Sequence, residues 1–273
     1  ESGIGKIRVT GGEPLVRPGL VGLISRLAGL PGVLELSLST NGVLLAKSAG
    51  PLARAGLRRV NISLDSLERD KFERVTRFGR LEQVLAGIDA SLEAGLAPVK
   101  INVVVARGIN DDEIGAFAAW TERAPVHVRF IELMPMGETG FFSRARWLPI
   151  SEIAAKAAPL EPVPSIERPA GHGPARVFRR PGAMGTVGFI SALSCGFCDS
   201  CNRMRLTSSG ILLPCLDAAQ GIDLRTPLRR GAGREEIRGL IAECVRAKPE
   251  RHSMLERVDG PRVNARHMCQ VGG

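Results

Sequence analysis

No apolar run in the 273-residue chain is long enough to span a bilayer, so a membrane is not expected as a partner. Aromatic residues make up only 4%, which argues against a stacking platform for single-stranded nucleic acid. Cysteine is absent before Cys195, which is the first of the six thiols. No secretory signal precedes them, so metal binding is favoured over disulfides, and the cytoplasm is the expected compartment. Glu1 opens the chain with neither a methionine nor a targeting segment, and we expect a cut start rather than a natural N-terminus. Dense blocks of one charge are also missing. The formal net charge is +9, but the basic residues are scattered. That balance suits a small anionic substrate on an Arg-rich background better than nucleic acid, which is not expected as a partner. The length allows one large domain or one and a half, with 44% hydrophobic and 24% charged residues as in an ordinary globular protein.

The first part of the chain alternates strand-like and helical runs. Strands are expected at 6–10, 34–40, 59–65, 100–105 and 127–134, and helices at 19–28, 44–55, 81–94 and 111–123. Gly29, Gly56 and Gly95 sit where helices should end. The acidic start Asn110-Asp111-Asp112-Glu113 suits a helix first turn. This βαβα alternation implies an α/β fold with a parallel sheet or barrel. Strands of such a sheet are covered on both faces and normally read as continuous apolar runs. These alternate instead. Lys6, Arg8 and Thr10 oppose Ile7 and Val9. Ser37, Ser39 and Asn41 oppose Leu36 and Leu38. Asn61, Ser63 and Asp65 oppose Ile62 and Leu64, and Lys100 and Asn102 oppose Ile101 and Val103. Burying such cations without partners is costly. An incompletely filled, partial TIM-type barrel whose lumen takes a polar anionic ligand resolves the conflict. An antiparallel sheet with one wet face is the alternative, which the intervening helices disfavour.

Functional loops should follow the C-terminal ends of the strands. Gly11-Gly12-Glu13-Pro14, Thr40-Asn41-Gly42, Ser63-Leu64-Asp65-Ser66 and Glu132-Leu133-Met134-Pro135 occupy those places. Each alone would read as a turn, and together they mark one end of the sheet as the site.

Residues 1–150 are expected to form the partial barrel and 151–273 a C-terminal irregular and β extension. Within the extension, 156–183 reads as irregular, with one strand at 176–180. Further strands are expected at 185–191 and across 204–213, the latter split by a Ser208-Ser209-Gly210 turn, and a helix at 234–247. Cys198 and Cys201 form a CxxC, and a hairpin can return Cys215 to the same centre. Three thiolates suit an iron–sulfur cluster with one open iron. Zinc, with Cys195 as a fourth ligand, stands beside it on residue types alone. Arg203 and Arg205 behind the second thiol tip the balance toward a site for a phosphate-bearing ligand. Cys244 reads as core, while Cys195 and Cys269 are left without a role. The terminal Gly272-Gly273 is either a frayed end or a slim probe into a tight site.

Taken in order, GGEP, STNG, ISLD, ELMP, FCxxCNRxRLT with its later cysteine, and the terminal Gly-Gly resemble the radical S-adenosylmethionine GTP 3′,8-cyclases of molybdenum cofactor biosynthesis, over essentially the whole chain. The resemblance implies that Gly12, Glu13, Ser63 and Met134 contact S-adenosylmethionine. It implies GTP contacts from Lys6, Arg8, Ser39, Lys100, Arg129, Arg203, Met204 and Arg205. Cys198, Cys201 and Cys215 would hold an auxiliary 4Fe-4S cluster, and Gly272 and Gly273 would form a tail entering the active site. The family's second 4Fe-4S cluster is held by a CxxxCxxC segment that this sequence does not contain, and it is expected from an absent N-terminal segment. The implied reaction starts with radical abstraction of the GTP 3′ hydrogen and closes the ribose onto guanine C8. The product would pass to a cyclic pyranopterin monophosphate synthase, and a homodimer remains open. A truncated, non-catalytic paralogue that binds GTP and a cluster, and a zinc-stabilised nucleic-acid-binding protein, are the rival readings.

Overall fold

The computed structural model describes residues 3–77, 79–137, 140–171, 173–254, 256 and 268–271. Strands β1 (Lys6–Val9), β2 (Glu35–Thr40), β3 (Arg59–Ser63), β4 (Val99–Val105) and β5 (Val126–Glu132) alternate with helices. The helices are α1 (Leu20–Ala28), α2 (Leu45–Arg54), α3 (Arg69–Thr76), α4 (Leu81–Glu93) and α5 (Ile114–Arg123). After them come α6 (Ile150–Ala157), β6 (Glu161–Pro162), β7 (Arg176–Arg179) and β8 (Thr186–Ile190). The chain continues through β9 (Arg205–Leu206), β10 (Ile211–Leu213), β11 (Ile222–Asp223), α7 (Arg225–Arg229) and α8 (Arg234–Arg246).

The main sheet runs β1-β2-β3-β4-β5-β8-β7-β6. Strands β1 to β5 and β8 are parallel, and β7 and β6 finish the edge antiparallel. Successive βα units that always add the next strand on the same side curl a twisted parallel sheet into an open barrel wall. Because β8 pairs with β5, the wall draws strands from both sides of residue 150. Strands β9, β10 and β11 form a separate antiparallel sheet.

One face of the wall makes the core. Leu36, Leu38, Val60, Ile62, Ile101, Val103, Val128 and Phe130 bury themselves against Ile24, Leu45, Leu52, Val84, Ile88 and Phe117 of the helices. At about 25 cal/mol per Å² of apolar surface, this continuous layer is the main stabilising term. Two glycines permit the close approaches. A Cβ on Gly87 of α4 would lie 2.7 Å from the Gly42 carbonyl oxygen, and one on Gly185 would lie 1.9 Å from that of Val126.

The differences from expectation have local causes. Helix α5 begins at Ile114 rather than 111, because Asn110 and Glu113 serve tertiary bonds. Asn110 donates to Asp65 O (2.8 Å) and Val104 O (2.9 Å), and Glu113 accepts from Ser66 Oγ (2.8 Å) and Leu67 N–H (2.6 Å). Strand β3 stops at Ser63 rather than 65, and the Asp65 carboxylate accepts the Val104 N–H of the neighbouring strand (2.8 Å). Helices α3 and α6 were not expected, and part of the 156–183 stretch read as irregular forms the end of α6 and the β6–β7 pair. The expected hairpin turn is present between β9 and β10, with Gly210 N–H donating to Thr207 O (2.9 Å).

Candidate active site: a cationic lumen beside three thiols

The inner face of the wall is built in levels set by the strand register. Arg8, Ser37 and Arg59 stand level with one another. Above them Ser39, Asn61, Lys100, His127 and Thr186 form a second level. Ser63, Asn102, Arg129 and Gly188 form a third. The period-two pattern thus places the expected Arg8, Ser39, Ser63, Lys100 and Arg129 on one face. Lys6 pairs in register with Glu35 at the lower end of edge strand β1, where it is exposed.

These cations crowd one another. Lys100 is only 6% exposed. Its pKa is lowered to about 7, first by burial and then by the charges of Arg129, Arg59 and Arg8, against a small opposing pull from Glu35. Its Nζ donates to the carbonyl of Ala170 (2.5 Å). Arg129 is lowered to about 9 by burial and by Arg8, Arg59 and Arg203. Arg205 is pushed down by burial and by Arg203, while the Cys215 and Cys201 thiols pull it up. Arg8 is lowered by burial and then by Arg59, Arg203 and Arg205. It stands on the open edge strand and keeps solvent access, so its shift is more screened than that of enclosed Lys100. An arginine does not give up its proton at neutral pH, so the lowering registers burial first and then mutual repulsion, the part that a bound polyanion would relieve.

Two residues of this wall went unremarked in the sequence. Arg59 is buried and paired with Glu35, and its guanidinium lies against Gly171. His127 places Nδ1 2.9 Å from Thr186 Oγ1. Burial, then Lys100, Arg129 and Arg179, lower its pKa to about 4, so it is neutral at pH 7. The signal for Arg59 was already present, since it stands two residues before Asn61 in the same alternation. Arg129 donates to Asn61 Oδ1 (2.8 Å). Among the described residues Arg129 Nε and Asn102 Oδ1 are buried there without a partner, as expected of a wall shaped for a polar ligand.

At the upper end the loops are held by their own residues. Both Glu13 oxygens are engaged: Oε1 accepts from Leu15 N–H (2.9 Å) and Thr40 Oγ1 (2.7 Å), and Oε2 from Asn41 N–H (2.7 Å). This carboxylate latches the GGEP loop to the STNG loop. Gly12 is exposed, with open space where a Cβ would stand. Met134 is half-buried against the small cluster of Leu133, Phe142, Leu193 and Met254. Fully buried Glu132 accepts from Ile150 N–H (2.9 Å), Leu193 N–H (2.6 Å) and Ser194 N–H (3.0 Å). It thereby fastens the end of β5 to the segment that leads into the cysteines.

Cys198, Cys201 and Cys215 are half-buried free thiols, Cys195 is exposed and Cys244 is in the core. A cleft of about 210 Å³ opens between Gly173, Pro174, Phe197, Cys201 and Arg203. The Arg203 guanidinium lies 5.0 Å over the Phe197 ring. Burial opposes the Cys201 thiolate, but the Arg203 N–H, the Arg203 charge and Lys248 outweigh it and hold the thiol below its usual range. Among the described residues no three Cys, His, Asp or Glu side chains converge tightly enough for a single metal ion. Three half-buried thiols, one of them held toward its thiolate, are a donor set that fits a sulfur-bridged cluster. Met204 turns the other way, packing on Leu212, Leu224 and Cys244. Gly272 and Gly273 lie outside the described residues.

Residues 1–121 match the Radical SAM superfamily model, and residues 126–254 match the Molybdenum Cofactor Synthesis C model. The GTP 3′,8-cyclase of Pelotomaculum thermopropionicum is 50% identical over 273 residues, covering 100% of this chain and 83% of the relative. That of Heliobacterium modesticaldum is 50% identical over 275 residues, covering 99% and 83%. That of Moorella thermoacetica is 48% identical over 275 residues, covering 100% and 83%.

Proposed function

The chain belongs to the GTP 3′,8-cyclase family, and from that premise we propose that its lumen binds GTP for radical cyclisation in molybdenum cofactor biosynthesis. When bound, S-adenosylmethionine and the clusters supply the radical chemistry that joins the ribose 3′ carbon to guanine C8. The residues of the chain do the rest. Lys100, Arg129 and Arg8 receive the triphosphate, each exchanging cationic neighbours for phosphate oxygens. Arg59 is a further triphosphate contact, with Glu35 as its partner before the nucleotide arrives. Arg203 and Arg205 extend the cationic surface toward the thiols, so the guanine end would lie at the cluster held by Cys198, Cys201 and Cys215. Ser39 offers a hydroxyl, and Met204 offers only its backbone. Gly12, Ser63 and Met134 line the S-adenosylmethionine end. Glu13 acts there through the loop it latches, leaving the peptide groups of that loop to meet the amino-acid end. The wall fixes the ribose against the reacting carbon.

The reading rests chiefly on one observation: six cations, Arg8, Arg59, Lys100, Arg129, Arg203 and Arg205, form one electrostatic neighbourhood that reaches Cys201 and Cys215. A second cluster, the terminal glycines as an active-site tail, a cytoplasmic setting and hand-off to a cyclic pyranopterin monophosphate synthase belong to the same proposal. Anaerobic incubation of the full-length protein with GTP, S-adenosylmethionine and dithionite is the test. The expected result is 5′-deoxyadenosine formed only when GTP is present. Nucleotide-independent formation, or none from a cluster-loaded protein, overturns the reading.

A further inference from the structure

Lys248 lies just beyond α8, and its three ammonium protons have three acceptors. Nζ lies 2.9 Å from Arg203 O, 2.9 Å from Pro214 O and 3.7 Å from Cys201 Sγ. An ammonium has three donors and no acceptor, so this set uses its full capacity. The two carbonyls belong to different segments: Arg203 follows the CxxC by two residues, and Pro214 directly precedes Cys215. Lys248 therefore ties together the two pieces of chain that carry the thiols. It also brings a positive charge to one sulfur. Its half-buried stem is anchored from behind, where Cys244 of α8 packs into the cluster of Leu212 and Leu224.

We propose that Lys248 is a positioning residue for the iron–sulfur cluster, clamping the Cys201 and Cys215 segments and raising the cluster's reduction potential through its N–H···S contact and charge. Hydrogen bonds to the sulfurs and net charge are among the factors that set such potentials. A donor on a ligand sulfur disperses the extra negative charge of the reduced cluster and so favours reduction. The inference rests on the cluster reading above, but its test does not depend on GTP turnover.

The chain is reconstituted anaerobically with iron and sulfide, and its cluster signal is followed by redox titration with electron paramagnetic resonance. The signal is assigned as the one that Cys215→Ala removes. Lys248→Met keeps the stem and loses the charge and donors, so its cluster should titrate at a more negative potential. Lys248→Arg should return the potential toward wild type. A Lys248→Met protein that carries the wild-type iron content at an unchanged potential overturns the proposal. If Lys248→Met fails to load, Lys248→Gln replaces it, because its neutral amide still donates to the carbonyls. An unchanged potential in that variant overturns the proposal equally. A wild-type chain that takes up zinc but no iron and sulfide sinks the cluster reading itself, and this role with it, before any variant is made.

Discussion

Two lysines, each less than one-tenth exposed, have opposite fates in this fold. Lys71 is 8% exposed and Lys100 is 6% exposed. Burial pulls the Lys71 pKa down, but the hydrogen bonds its ammonium donates to Asp112, Glu113 and Glu68 overcome it and carry it above the ordinary range. Lys71 Nζ lies 2.8 Å from Asp112 and 3.0 Å from Glu113. Lys100 has the Ala170 carbonyl and a ring of arginines, and its pKa is lowered to about 7. A buried cation with its counter-charge in the chain is a structural element. One enclosed among other cations lacks that compensation, and in the proposed function a bound triphosphate supplies it.

The largest expected effect breaks the structural half of this comparison. Lys71→Met leaves Glu113 buried without its cation, and removing one partner of a buried pair costs about 3 kcal/mol. Urea unfolding should show that loss while GTP affinity is unchanged. Equal stability of variant and wild type would make Lys71 incidental. Lys100→Met should do the reverse. A hydrogen bond to a charged partner contributes about 1.5–3 kcal/mol, so calorimetry should show GTP binding weakened about ten- to a hundredfold with no loss of stability. Unchanged affinity would remove Lys100 from the site.

A finer test uses protons. In the free protein Lys100 loses its proton near pH 7, and a bound triphosphate would pull that pKa back up. Binding should therefore take up a proton at pH 8 and much less at pH 6, and affinity should fall as pH rises through 7. Calorimetry at pH 8 in buffers of different ionisation enthalpy reads this directly, and Lys100→Met should lack that part of the uptake. Equal uptake by both proteins counts against the assignment.

A last effect, confined to acid pH, concerns His127, whose pKa of about 4 lies below that of an unfolded histidine. As pH falls from 6.5 to 4 the unfolded chain takes up a proton that the native ring refuses, so stability is lost across that window and levels off below it. His127→Gln should flatten this part of the stability curve in urea melts at pH 7 and pH 4.5. A parallel offset at both values would place the cause elsewhere.

Much of the site was legible because a strand repeats every two residues. The alternation through Arg8, Ser39, Ser63 and Lys100 identified the lumen face, and the same rule carried Arg59 and Glu35, whose place on that face went unread. Helix ends at Gly29, Gly56 and Gly95 were equally local. The tertiary bonds were not. Nothing near Glu132 announces that it fastens the segment leading to the cysteines. Nothing near Lys248 points to a thiol 47 residues away in sequence. Acidic residues at 111–113 have the composition of a helix start, yet Asp112 and Glu113 bind Lys71 from across the fold.

The order of residues alone determined which side chains share a face, because backbone geometry fixes that period without reference to distant neighbours. Only the folded chain decided which buried charges meet an opposite charge and which meet their own kind, because that depends on what segments far apart in sequence bring together.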